Sequence, residues 1–300
     1  MFSKRKSEKG NIALLTVLAV STLFAFSSLV IDLGLLYVTK AQLTNLADAA
    51  ALAGVQDLPA DPQQAVADAT LYARQNGLDT DTLDIQAVDN NTGVTVKAMR
   101  RVDLLFARLW GMETADVQAS AEAKIEVIQS AAGVVPFGVV QQNFVYGQSY
   151  TLKAGAGGGY NGNYGGLALG GNGANVYRNN IEYGYDGNLS IGDSVSTEPG
   201  NMSGPTSQGV AYRVGLDPDA TFDTVKRSSP RIVIVPVIDS LSGNGRTEVE
   251  IVGFAAFFLE GAGGQGNQNY VTGEFLQMVM PGDVTTSSTG FGLYGAKLVQ

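Results

Sequence analysis

The chain has 300 residues, 45% of them hydrophobic, with 38 glycines and neither cysteine nor histidine. Lacking those two residue types, it has no disulfides, thiolate or imidazole metal sites, thiol nucleophiles or Ser-His-Asp relays, which excludes much of enzyme chemistry. The net charge is −9, yet the first ten residues carry Lys4, Arg5, Lys6 and Lys9 against Glu8; an acidic body behind a basic tip does not suit nucleic acid, which needs cationic surface along its phosphates.

After the basic tip (1–11), Ile12 to Ile31 runs for twenty residues without a charge. At 1.5 Å per residue such a helix spans about 30 Å, the thickness of a bilayer's hydrocarbon core. The lipid bilayer is therefore the first expected partner. Ile12, Leu18, Phe24 and Ile31 sample the anchor along its length. Thr16, Ser21, Thr22, Ser27 and Ser28 are tolerable there because their hydroxyls can bond back to their own helix. Lys and Arg before the span, and none until Lys40 after it, predict a cytoplasmic N-terminus and an extracytoplasmic body in a single-pass protein of the cell membrane. A cleaved signal peptide would have a shorter apolar region and a small-x-small site, whereas Asp32-Leu33-Gly34-Leu35-Leu36-Tyr37 follows here.

Leu36, Leu43, Leu46 and Ala50 recur at helical spacing, so the same helix is expected to continue to about Gly54. Its alanine-rich face suits close approach by another helix, with internal packing favoured over an assembly surface. Asp61-Pro62 reads as an N-cap and first helical position, opening a helix to about Asn76 that Gly77 stops. Leu83–Val88 and Val94–Ala98, joined by Asp89-Asn90-Asn91-Thr92-Gly93, read as a hairpin. Leu104–Trp110 reads as a short amphipathic helix, with Trp110 in a packing role. Val117 to Val127 alternates as a half-buried strand. Residues 32–130 are thus expected to form a stalk helix and a small α+β domain.

From 131 to 300, apolar runs alternate with Gly, Asn and Ser turns, and no long helix is expected. The strand candidates are Val134–Val140, Ser149–Lys153, Val210–Val214, Arg231–Ile238, Thr247–Leu259, Tyr270–Met280 and Gly292–Val299, with Ser242-Gly243-Asn244-Gly245 as a hairpin turn. The fold class is therefore α+β: a transmembrane helix, a small α+β domain, then a mainly antiparallel β domain, sandwich or barrel-like.

No catalytic, cofactor or metal site emerges. Gly157, Gly159 and Gly162 match G-x-G-x-x-G, but no helix follows to hold a phosphate. Asp186, Asn188, Asp193 and Glu198 collect oxygen donors without the spacing of a calcium loop, and read as Asx turns. Thr197 to Pro205 reads as successive turns. Among the 28 acids, spacing picks out no pair for hydrolysis.

The N-terminal 54 residues resemble Tad-type proteins, the tight-adherence (Flp pilus) assembly family called TadE/G-like. The resemblance is carried by the basic tip, by Gly10-Asn11, and by Asp32, Gly34 and Tyr37 at the exit of the span. It continues through Gln42, Asn45, Ala47, Asp48 and Ala49 in the Gln42–Ala53 run. It implies a membrane-anchored envelope protein of pilus assembly or surface attachment that acts through contacts with other pilus-assembly or envelope proteins, without catalysis or cofactor. Pilin-like relatives are processed after a glycine at the position of Gly10, with a glutamate five residues on; Leu15 stands there. The von Willebrand-type metal motif of some members is not reproduced at Asp239-Ser240-Leu241. The alternative is an anchored module for carbohydrate or surface polymer, with Tyr146, Tyr150, Tyr160, Tyr164, Tyr177, Tyr183 and Tyr185 as stacking faces.

Overall fold

The structure, a computed structural model, describes residues 9–78, 81–153, 164–200, 202–241, 245–286 and 289–299. One helix, α1 (Lys9–Gly54), extends for 46 residues. No proline falls within it, so its hydrogen-bond ladder is never interrupted. Residues 12–27 are exposed on every side. A buried stripe then begins at Ser28 and continues through Asp32, Thr39, Leu43, Leu46, Ala47, Ala50 and Ala51, with Leu35 and Leu36 half-buried between. These are the three- and four-residue steps of one helical face. The apolar rod thus becomes an amphipathic helix without a break.

Helix α2 (Pro62–Gln75) opens as its sequence predicts: the Asp61 carboxylate accepts the N–H groups of Gln63 and Gln64 at 3.0 and 2.9 Å. It lays Ala65, Ala69 and Ala73 against the alanines of α1, in one core with Val94 and Val96. Small side chains let the two backbones approach. A Cβ on Gly54 would stand 2.6 Å from the Ala65 carbonyl oxygen and 2.9 Å from the Ala69 Cβ. The alanine face of α1 is therefore spent on internal packing.

Strands β1 (Thr82–Val88), β2 (Gly93–Asp103) and β3 (Thr114–Ile128) form an antiparallel meander under α1. The first turn holds Asp89, Asn90 and Asn91 at φ of 54°, 56° and 64°. The helix expected over Leu104–Trp110 is instead one 3-10 turn, Ala107–Trp110, stopped by Gly111 at φ 84°. The Leu104 N–H donates to the Glu113 carbonyl, so residues 104–113 close a hairpin loop between β2 and β3, too short for a regular helix. Trp110 is 61% exposed, not packed as expected.

Beyond β3 come β4 (Ser130–Ala132), β5 (Phe137–Val140), β6 (Ser149–Lys153), β7 (Tyr164–Gly166), α3 (Ala174–Tyr183), β8 (Asn188–Ser190), β9 (Ser194–Ser196) and α4 (Ser203–Leu216). The chain then continues through β10 (Ile232–Ile238), β11 (Glu248–Gly263), β12 (Tyr270–Leu276), β13 (Met278–Val279), β14 (Val284–Thr285) and β15 (Leu293–Val299). The larger sheet has the order β6-β12-β11-β10-β5-β7, with β9 also on β11; only β10–β5 is parallel. On one face Phe257, Leu259 and Phe275 pack with Tyr177, Ile181 and Val210 of α3 and α4. The other face sets Ile251, Phe254 and Ala256 in a core with Ile128, Leu189 and Leu293.

The two helices are a correction, since no long helix was expected after residue 131 and Val210–Val214 was read as a strand. A run as short as Val210-Ala211-Tyr212-Arg213-Val214 does not distinguish helix from strand, and Gly204, Gly209 and Gly215 lower helix propensity. Tertiary contacts decide: a Cβ on Gly209 would meet Ile181 at 2.7 Å, and the Arg213 guanidinium donates to the carbonyls of Ile181 and Pro230. The turns read over Thr197–Pro205 give way to α4 from Ser203 on. Residues 242–244, the heart of the expected hairpin turn, lie outside the described residues.

The first sheet has the order β1-β2-β3-β15-β13, with β14 also on β3. Strands β14 and β15 therefore return to the small domain that opens the body. Gly54→Val is expected to cost about 1–3 kcal/mol by overpacking the α1–α2 contact, read as a lower denaturant midpoint of the detergent-solubilised chain. Gly34→Ala, with open space around it, should leave that midpoint unchanged or raise it slightly, because alanine favours the helix by about 0.5–1 kcal/mol.

Candidate functional site

The residues that the sequence singles out fall in two zones along α1. In the lower zone Ile12, Leu18, Phe24 and Ile31 are all exposed, and the apolar window has a mean hydropathy of 2.3 with 6% of it buried. This helix is long and apolar enough to cross a membrane. The Thr16 and Thr22 hydroxyls donate to the carbonyls four residues back, at 2.9 and 2.8 Å, and Ser28 donates to Ala25 at 2.7 Å. Those hydroxyls are thereby satisfied without water.

Asp32 stands at the upper end of this zone. Its side chain is turned into the head, and the residue is buried. The carboxylate accepts three successive backbone N–H groups from the β2–β3 loop: Leu105 at 2.8 Å, Phe106 at 3.0 Å and Ala107 at 2.7 Å. These donors open the 3-10 turn and have no partner within it, so Asp32 caps that turn from another element. Arg108, on the same turn, adds Coulombic attraction while its Nε donates to the Leu104 carbonyl at 2.8 Å.

The rest of the motif divides by face. Gly34 has open space where a Cβ would be, and Tyr37 points outward, 76% exposed. Gln42 accepts from Arg100 of β2 at 3.3 Å; that guanidinium also grips Asp81 through two 2.6 Å bonds and the Gly77 carbonyl at 2.9 Å. Lys40 donates to the Gln118 carbonyl of β3. Ala47 is buried, Asp48 and Ala49 are half-buried and Asn45 is exposed. The loop that receives Asp32 was missed by sequence reasoning. It lies 73–75 residues away, and nothing local marks it beyond two aromatics beside leucines in a loop.

The other candidates disperse. Asp193 accepts the Ser190 N–H at 2.8 Å in a local turn, and Glu198 accepts the Gly173 N–H at 2.7 Å while pairing with Arg246 at 3.3 Å. Among the described residues no group of three or more acidic, histidine or cysteine side chains is placed to hold a metal ion. The G-x-G-x-x-G match and Tyr160 lie outside the described residues, as does the side chain of Tyr164. Tyr177 is core, whereas Tyr146 and Tyr150 pack at the edge of the same cluster. Tyr183 meets Tyr212 edge to face at 5.4 Å, and with Tyr185 lines a separate open hollow of about 550 Å³. The tyrosines whose side chains are described therefore share no single stacking surface.

An apolar helix that passes without a break into the core of a β-rich α+β head, pinned at its exit by a buried carboxylate, defines a membrane-type protein with a head on a helical stalk. Residues 10–57 match the model of the Tad family, described as Putative Flp pilus-assembly TadE/G-like. This is the family that the Asp32–Ala53 run resembles, and the match ends three residues beyond α1, with the 3-10 turn Val55–Asp57. No curated protein and no solved structure matches the chain.

Replacing Asp32 with Ala would leave three N–H donors without their acceptor. Asp32→Ala is expected to speed tryptic cleavage at Arg108 severalfold, with Asp32→Asn intermediate and Asn45→Ala unchanged. The check is limited proteolysis of the solubilised chain, followed by fragment mass.

Proposed function

We propose that this chain is a membrane-anchored envelope protein of the tight-adherence, Flp-type pilus system, serving pilus assembly or surface attachment through protein–protein contacts. The observation that carries the reading is the coincidence of the family match over residues 10–57 with a helix whose residues 12–27 are uncovered among the described residues. Such a rod has two uses: insertion in lipid, and packing beside the rods of other envelope proteins. Lys4, Arg5, Lys6 and Lys9 hold the N-terminus at the cytoplasmic leaflet, which places the head outside. The head works by binding, not by catalysis, and its partners are other pilus-assembly or envelope proteins.

Three measurements on cells test this. After alkaline carbonate washing the full-length chain should stay with the membranes; release into the supernatant would overturn the anchor. Protease added to spheroplasts should remove the chain beyond about residue 100, whereas protection of the head would invert the topology. Crosslinked membranes should yield pilus-assembly components with the chain. If they yield only surface polysaccharide, the polymer-binding alternative replaces this reading.

A further inference from the structure

We propose that the β2–β3 loop, residues 104–112, is a second membrane contact, seated in the headgroup layer beside α1 with Trp110 as its interfacial anchor. The proposal rests on the reading of α1 as a membrane span and adds to it a site on the head.

Four large apolar side chains of this one loop face outward: Leu105, Leu109, Trp110 and Met112 are 54–77% exposed. Loops are ordinarily polar, and a soluble head gains nothing by presenting such a cluster to water. Its position explains it. The three bonds to Asp32 hold the start of the 3-10 turn against the residue that follows Ile31, the last of the uncharged run. The buried stripe of α1 reaches down to Ser28, one helical turn inside that run, and the turn Ala107–Trp110 packs on α1. One turn is about 5.4 Å. The interfacial layer of a bilayer is of similar thickness, roughly 5–7 Å on each side of a 30 Å core. The loop therefore sits at the depth of that layer if α1 spans the core.

The residues suit that depth. Trp and Tyr collect at membrane interfaces, where one end of the ring is wet and the other apolar. Tyr37, 76% exposed on the next turn of α1, is the second such residue, with Leu33 and Val38 also exposed beside it. The charged groups at the loop fit as well. Arg108 lies near Asp32 on the tip, where a guanidinium can meet lipid phosphate. Asp103 and Glu113 stay at the stem, at the end of β2 and just before β3. The backbone of the tip, which would be costly to carry into an apolar layer, has its first three donors satisfied by Asp32. The occupant is lipid, and not a soluble partner, because the patch is continuous with the surface of the span.

Trp110 is the chain's only tryptophan, so its emission reports this loop alone. The full chain is reconstituted in phosphatidylcholine–phosphatidylglycerol vesicles containing lipids brominated either near the headgroup or deep in the acyl chain. The expected result is blue-shifted emission, little quenching by aqueous iodide, and stronger loss of intensity with the shallow bromolipid than with the deep one. Free quenching by iodide with no loss to either bromolipid overturns the proposal, as does shielding from all three quenchers, which would mean a protein contact. A companion variant, Trp110→Phe with Phe24→Trp, reports the span separately. If it is quenched by the deep lipid while Trp110 is not quenched at all, the span stands and the loop contact falls. If neither is quenched, the reading of α1 fails first.

Discussion

The architecture depends on one carboxylate at the boundary between two environments. Below Ser28 the helix is exposed on every side among the described residues, and its side chains suit hydrocarbon. Above it, the same helix contributes a stripe to a water-soluble core. An ionised group at such a boundary is costly unless its lone pairs are engaged. Asp32 engages three N–H groups that the loop between β2 and β3 could not satisfy within its own turn. Each side removes the other's deficit, and a segment 73 residues away is fixed to the helix at that height.

From that point upward the helix acts as a rigid stem. Arg100 clamps Gln42 to Asp81, Lys40 holds β3, and the alanines of α1 and α2 bring two backbones into contact. At the top, Arg227 reaches back from the second half of the chain to the Gln56 carbonyl and the Asp57 carboxylate, at 2.7 and 2.6 Å. Burial pushes the Asp57 carboxyl above its ordinary range, and the nearby Arg227 opposes that shift. With no proline to act as a hinge between Lys9 and Gly54, tilt of the lower half is transmitted to the head.

Much of this was legible from residue patterns with a single dominant cause. Twenty uncharged positions, the Asp61-Pro62 cap, the Asp89-Asn90-Asn91 turn and the strict alternation along β3 each have one physical reading, and each appears in the structure. What escaped depended on distant partners. Helix α4 has glycines that argue against a helix, and it forms because Gly209 admits Ile181 and Arg213 finds two carbonyls. The loop at 104–112 looked like an amphipathic helix because its leucines and tryptophan fall at helical spacing, yet the ladder closing at Leu104 and Glu113 leaves room for one turn only. At the site, Asp32 was recognised as a marker, but its partners were not; a carboxylate that accepts backbone N–H groups leaves no trace in the side chains that flank those groups.

The return of β15 to the first sheet has a consequence for how the molecule is made. Strand β3 is central, with β2 on one edge and β15 on the other from Glu122 to Val127. Its first partner is synthesised just before it, and its second more than 160 residues later. Until then β3 offers a row of bare amide and carbonyl groups, the template that neighbouring chains use to aggregate. The small domain nearest the span is thus the first to emerge and among the last to finish. Folding of this protein is therefore a race between closing that edge and losing it to another nascent copy.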